Sequence, residues 1–255
     1  MMKTYTVAQF AERVGMSSDR LRRLDNAGVF TPAEKTAGGH RRYSEEQIES
    51  AFVFVRELKL LPSGRDLIGD LHVEPFFAYL LGLCLADGSA NEAGQVVLEM
   101  KDRELLEEIA GVVETTVGSR KDRDTFRMTI PISIARNLVE FGVAPRKGEN
   151  GYTIPKLSMT SFGHLLRGIF DGDGCVDLHQ GRTRVRISGH PAPMADLQFT
   201  LLRHFGIYMG WYPLKTMNSG SLETGKKASV GALRELMYEN GGTCLHQKKR
   251  RFRCG

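Results

Sequence analysis

Two pairs of residues in this chain share a single spacing. Gly82 and Gly168 are 86 positions apart, and so are Asp87 and Asp173. They belong to "YLLGLCLADGSA" (79–90) and "HLLRGIFDGDGCV" (164–176), apolar runs of helical character that each contain a glycine-flanked aspartate near the end. The correspondence continues downstream. Each run precedes a β-like stretch, "QVVLEM" (95–100) and "RTRVRIS" (182–188), and then a helical one, "RELLEEIAGVVETTVG" and "MADLQFTLLRHFG". A further strand and a further helix follow in each half, the helices being "IARNLVEFGV" and "ALRELMYENGG". Self-similarity on this scale predicts two diverged copies of one αββαββα unit, about residues 75–150 and 158–253. Together they make an α+β domain, 75–255, with pseudo-two-fold symmetry.

The two apolar helices explain each other. Gly82 and Ala86 are four apart, as are Gly168 and Gly172, so each helix carries a strip of minimal side chain. Facing strips let two backbones approach closely, the steric logic of small-residue helix packing in membranes. Such packing brings the two C-terminal ends together, with Asp87 and Asp173 on them. The last turn of a helix carries partial negative charge and repels an aspartate. Two aspartates at adjoining ends call for a cation between them, and hard oxygen donors suit magnesium or a similar divalent ion.

The stretches "LLGLCLADG" (80–88) and "LRGIFDGDG" (166–174) resemble the paired motifs of the LAGLIDADG homing endonucleases. The resemblance covers about residues 72–253, and two motifs in one chain imply the single-chain form. It implies that the last acid of each motif, Asp87 and Asp173, binds the catalytic divalent metal, with Gly88 and Gly174 beside them in the candidate metal set. Leu85 stands where the second copy has Asp171, a position that varies in the family.

Residues 4–60 read as a separate small unit. Val7, Phe10, Ala11 and Val14 fall at helical spacing in "TVAQFAERVG" and stop at Gly15. After a short turn, Ser17 or Ser18 caps a second helix, "SSDRLRRLDNAG", that ends at Gly28. Helix, glycine-containing turn and helix form the helix-turn-helix arrangement, and Arg20, Arg22 and Arg23 equip the second helix for phosphates and base edges. Next, "AGGHRRY" reads as a hairpin with a Gly-Gly tip and two arginines, Arg41 and Arg42. Ser44 and Gln47 then form a capping box for a helix to about Leu60. The unit resembles the MerR and excisionase winged-helix family, whose wing signature matches "GGHRRY", and this implies DNA binding. Residues 1–60 are assigned to this domain, and "LPSGRDLIGDLHVE" (61–74), with mixed Pro, Gly and charge, to a linker.

Strand alternation places Arg182, Arg184 and Arg186 on one face and Thr183, Val185 and Ile187 on the other. Likewise Phe126, Met128 and Ile130 oppose Thr125, Arg127 and Thr129. A basic, polar strand face suits the major groove, where arginine reads guanine bidentately, and the resembled family uses its sheets this way. Basic residues also follow the last helix of each copy, in "VAPRKG" and "CLHQKKRRF". The resemblance implies a lysine near the scissile phosphate. Lys147 is the candidate in the first half, and Lys248 or Lys249 in the second, with Arg250 a phosphate contact.

The remaining composition narrows the class. Net charge is +5, which permits a polyanionic partner. The four cysteines, Cys84, Cys175, Cys244 and Cys254, form no CxxC pair, so neither a structural zinc nor a disulfide framework is expected. The N-terminus lacks the pattern of a signal peptide and no apolar run is long enough for a bilayer. A cytoplasmic, nucleoid-associated monomer that partners double-stranded DNA is the expectation. The function expected is site-specific, metal-dependent hydrolysis of DNA phosphodiesters, with Mg2+ or another divalent cation as cofactor. The rival is a DNA-binding regulator on the same scaffold, as in WhiA-like regulators. An intein is disfavoured, because "RRFRCG" lacks a His-Asn pair.

Overall fold

The computed structural model describes residues 3–14, 16–26, 28, 30–48, 51, 64–120, 122–145, 152–214 and 218–252. The N-terminal unit runs β1 (Thr4–Thr6), α1 (Val7–Arg13), α2 (Ser18–Asn26), β2 (Glu34–Lys35) and β3 (Arg41–Ser44). Its antiparallel sheet has the order β1-β3-β2. Thr6 and Gln9 close a capping box at the start of α1. The Ser17 hydroxyl accepts from the Arg20 amide, and Gly28 follows α2 with φ of +66°. Phe10, Tyr43 and Phe30 stack in series, with Phe10 and Tyr43 centroids 4.7 Å apart. The wing hairpin of β2 and β3 forms as expected. Gln47 accepts from the Ser44 amide at 3.1 Å, while most of the helix expected up to Leu60 lies outside the described residues.

Two αββαββα repeats follow. The first is α3 (Pro75–Ala86), β4 (Gly88–Ala90), β5 (Val96–Met100), α4 (Arg103–Val113), β6 (Val117–Arg120), β7 (Thr125–Thr129) and α5 (Ile132–Glu140). The second is α6 (Met159–Asp173), β8 (Gly174–His179), β9 (Arg182–Gly189), α7 (Pro191–Phe205), β10 (Gly210–Pro213), β11 (Gly220–Thr224) and α8 (Lys227–Tyr238). A short helix, α9 (His246–Arg251), follows them. The sheets have matching orders, β4-β5-β7-β6 and β8-β9-β11-β10, so the internal repeat is one of topology as well as sequence. Val185 and Ile187 on β9 and Leu98 and Met128 on the first sheet point inward and are buried against the helices.

One boundary differs from the sequence reading. The helix expected across "RELLEEIAGVVETTVG" stops at Val113, because Glu114 turns left-handed at φ of +56°. Thr115 and Thr116 connect it to β6, which begins at the β-branched Val117.

The segment before the first repeat lies along α7. Arg65 grips Asp196 with its backbone amide at 2.7 Å and its guanidinium at 2.6 Å, and the Leu67 amide donates to Thr200. His204 meets Asp66 at 2.9 Å. These α7 residues are four apart, so one helix face receives an extended strand-like segment. Leu202 of α7 and Tyr208 just beyond it pack with the winged-helix cluster that contains Phe10, Leu21 and Leu24. Among the described residues, no helix is long and apolar enough to cross a membrane.

Candidate functional site

Helices α3 and α6 cross with almost nothing between their backbones. A methyl group on Gly82 would strike the Leu165 carbonyl and lie 2.9 Å from the Ile169 amide nitrogen. The reciprocal methyl on Gly168 would strike the Tyr79 carbonyl and lie 2.6 Å from the Leu83 nitrogen. Further along, Gly172 faces Ala86, and a methyl on Gly172 would come 3.3 Å from a carboxylate oxygen of Asp87. The four small residues picked from the sequence, Gly82, Ala86, Gly168 and Gly172, therefore sit at the crossing.

This packing sets the acids. Asp87 is the C-cap of α3, and Asp173 is the last residue of α6. Asp87 is exposed and Asp173 partly so, while Gly88 and Gly174, which start the following strands, are buried. Among the described residues, no group of three or more His, Cys, Asp and Glu side chains could hold a metal ion. Asp87 and Asp173 are a two-carboxylate set at the abutting ends of two helices. Hard oxygen donors of this kind fit Mg2+, which keeps several of its own waters and commonly takes only one or two protein carboxylates.

A cation is already present at this place. The Lys248 ammonium donates to the carbonyls of Phe170, Asp171 and Gly172 at 3.0, 2.6 and 3.1 Å, which uses all three of its N–H groups. It caps the negative end of α6. Burial pushes its pKa down, against the opposing pull of Asp171, Asp87 and Asp173. Lys249, one residue on, lies over the Tyr238 ring. Lys147 is outside the described residues.

Behind Lys248 lies a polar network for which the sequence reading assigned no role. The buried Asp171 carboxylate accepts from the Tyr79 and Tyr238 hydroxyls at 3.0 and 3.2 Å and from the Leu245 amide at 2.7 Å. Burial raises the pKa of Asp171, and these donors oppose the rise. The fully buried Arg167 donates to the carbonyls of Met237 and Gly241 and lies over the Tyr79 ring. The available signal was the asymmetry between the motifs, Leu85 in one and Asp171 in the other.

On the second sheet, Arg184 pairs bidentately with Asp177 and also reaches Glu223 at 3.3 Å, and Arg186 meets Asp177 at 2.7 Å. The hydrogen bond from Arg184 holds the Asp177 carboxyl below its usual range. Arg182, at the end of β9, is exposed. On the first sheet Arg127 is exposed, and its neighbour Glu99 accepts from Arg120 and Thr125. The solvent faces of both sheets are thus mixed lattices of acid and base.

In the winged helix, Arg22 is half-exposed and pairs with Asp19 at 3.3 Å. Arg20 is half-buried beside Arg23 and Tyr208, and burial lowers its pKa. Arg41 reaches back to the buried Asp25, which also binds Lys35, and donates to Asn26 at 2.7 Å. It ties wing to helix, while Arg42 alternates to the opposite side of β3. Arg250 is in α9.

Residues 5–59 match the model of the MerR HTH family regulatory protein. No curated protein matches the chain in sequence. Among solved structures, the homing endonuclease I-WcaI bound to its DNA recognition sequence is 13% identical with a TM-score of 0.50, over 72% of this chain and 88% of that one. Full-length DUF199/WhiA from Thermatoga maritima is 15% identical with a TM-score of 0.49, over 71% of this chain and 59% of that one. The N-terminal LAGLIDADG domain of DUF199/WhiA is 16% identical with a TM-score of 0.46, over 64% and 82%. The chain therefore joins a MerR-type winged helix-turn-helix unit to a pair of repeats with the LAGLIDADG fold.

Proposed function

We propose that the protein is a site-specific endonuclease of double-stranded DNA that uses a divalent metal, acts as a monomer and is cytoplasmic. The observation that carries this reading is the placement of Asp87 and Asp173 at the abutting ends of α3 and α6, beside a crossing lined by Gly82, Ala86, Gly168 and Gly172. Asp87 and Asp173 would hold magnesium, which would activate water and stabilise the leaving oxygen. Lys248 keeps the α6 terminus and the two acids from repelling one another, and its saturated donors make it a fixed charge rather than a proton shuttle. Arg127, Arg182, Arg184 and Arg186 line the two sheet faces that would meet the major groove. For Arg184 and Arg186, binding exchanges Asp177 and Glu223 for bases or phosphates. The winged helix would lengthen the recognised sequence through Arg22, Arg23 and Arg42.

The test is incubation of the full chain with a randomised duplex pool and Mg2+, followed by sequencing of cut ends. A shared sequence at the ends supports the reading, and uncut DNA overturns it. A second reading, a DNA-binding regulator without cleavage, draws on one observation: Lys248 already supplies a cation at the α6 terminus. Enrichment of bound but uncut sequences in the same experiment would select it.

A further inference from the structure

Asp171 raises a question of economy in the fold. Its carboxylate is buried, and burying a charge is unfavourable unless hydrogen bonds compensate for lost water. The first repeat has Leu85 at the corresponding place, equally buried, so packing two such helices does not itself need an acid here. Among the described residues, the second repeat is followed by α9. Of the three groups that donate to Asp171, Tyr79 and Tyr238 come from the helices α3 and α8, and the third is the Leu245 amide at the entrance to α9. One turn later the Lys248 amide donates to the Leu245 carbonyl at 3.0 Å. The Lys248 side chain then returns to the carbonyl of Asp171 itself. Asp171, Leu245 and Lys248 thus form a closed ring of hydrogen bonds and chain. Phe252 at the far end of α9 rests on Phe170 and Tyr238.

We propose that Asp171 is a positioning residue: by holding the Leu245 amide it fixes the start of α9, and so places the Lys248 ammonium on the carbonyls that end α6, just before Asp173. This rests on the nuclease reading only for its consequence in catalysis, and the placement itself is measurable without DNA. Asp171 touches neither substrate nor metal in this account. It acts through Lys248.

The experiment is amine footprinting of the folded full chain with an acetylating reagent, read by mass spectrometry at Lys248 relative to Lys249. In the wild type Lys248 is protected. In Asp171→Leu, which copies the first repeat, Lys248 labelling rises several-fold. Leu245→Pro gives the same result without touching Asp171. It removes the amide donor at a backbone φ of −72° that proline accepts, and keeps an apolar ring where the leucine side chain packs on the core. Asp171→Asn keeps an acceptor for the amide and restores protection. Tyr79→Phe with Tyr238→Phe removes the other two donors, loosens the core, and leaves Lys248 protected. Wild-type protection in Asp171→Leu or Leu245→Pro overturns the proposal. So does equal release of Lys248 in the double tyrosine variant, since Asp171 would then only support the fold. Loss of the nuclease reading would appear separately, as uncut DNA with this labelling pattern unchanged.

Discussion

The Lys248 ammonium lies 2.6 Å from the main-chain oxygen of Asp171, whose side chain in turn holds the Leu245 amide at 2.7 Å. The acid inside the second motif and the base after the last repeat are therefore parts of one construction. Removing the charge in Lys248→Met takes the ammonium donor from three helix-end carbonyls, of which Phe170 keeps the Gly174 amide, and removes the cation from the negative end of α6. Hydrogen bonds to charged groups contribute roughly 1.5–3 kcal/mol, so a loss of about that size is expected in urea unfolding. Added Mg2+ should restore more stability to this variant than to the wild type, and EDTA should cancel that difference.

The helix crossing predicts opposite signs for one substitution at two sites. Gly168→Ala drives a methyl into backbone of α3 and should lower stability by about 1–3 kcal/mol, as overpacking does. Gly111→Ala, within α4 where a methyl meets nothing within 4 Å, should raise it by roughly 0.5–1 kcal/mol. Chemical denaturation of both variants checks the pair.

Much of this crossing was legible in the sequence, because glycine spacing and helix geometry together leave few alternatives. Gly82, Ala86, Gly168 and Gly172 meet as their period requires. The wing was legible from "GGHRRY", yet Arg41 is turned to Asp25 rather than held free on the surface. Composition could not reveal this, since it depends on a buried acid sixteen residues earlier that nothing local marks. The ion pairs on β9 were hidden for a similar reason. Alternation shows which face Arg184 and Arg186 share, but Asp177 and Glu223 join that face only through strand register. The Asp171 network needed tertiary contact between α3, α6, α8 and α9, which a single motif cannot specify.

Acid should loosen the second sheet through Asp177. Its folded pKa lies below the ordinary 3.8, so its pairing stabilises the fold fully above that value and is lost as pH falls below it. Wild type should therefore be more stable than Asp177→Asn at neutral pH, and the gap should close as pH drops through this range. Thermal melts at stepped pH values measure it.

The same ion pairs predict how DNA binding responds. Arg184→Ala and Arg186→Ala should relax base preference at particular positions, each good base contact contributing about 1–3 kcal/mol of discrimination. Neutralising Lys249 and Arg250 should weaken binding to all sequences alike and flatten the salt dependence by about one unit per lost phosphate contact. Site selection at two salt concentrations separates the two classes.

The most direct measurement is strand-resolved cleavage of a selected site in Mg2+, comparing the wild type with Asp87→Asn and Asp173→Asn. Each carboxylate closes its own helix at the shared end, so each is expected to serve one strand. The wild type is expected to make double-strand breaks, with none in excess EDTA, and each variant to make either a single nick or no cut while DNA binding persists. Unchanged double-strand cleavage by either variant, or cleavage by the wild type in EDTA, would contradict this expectation.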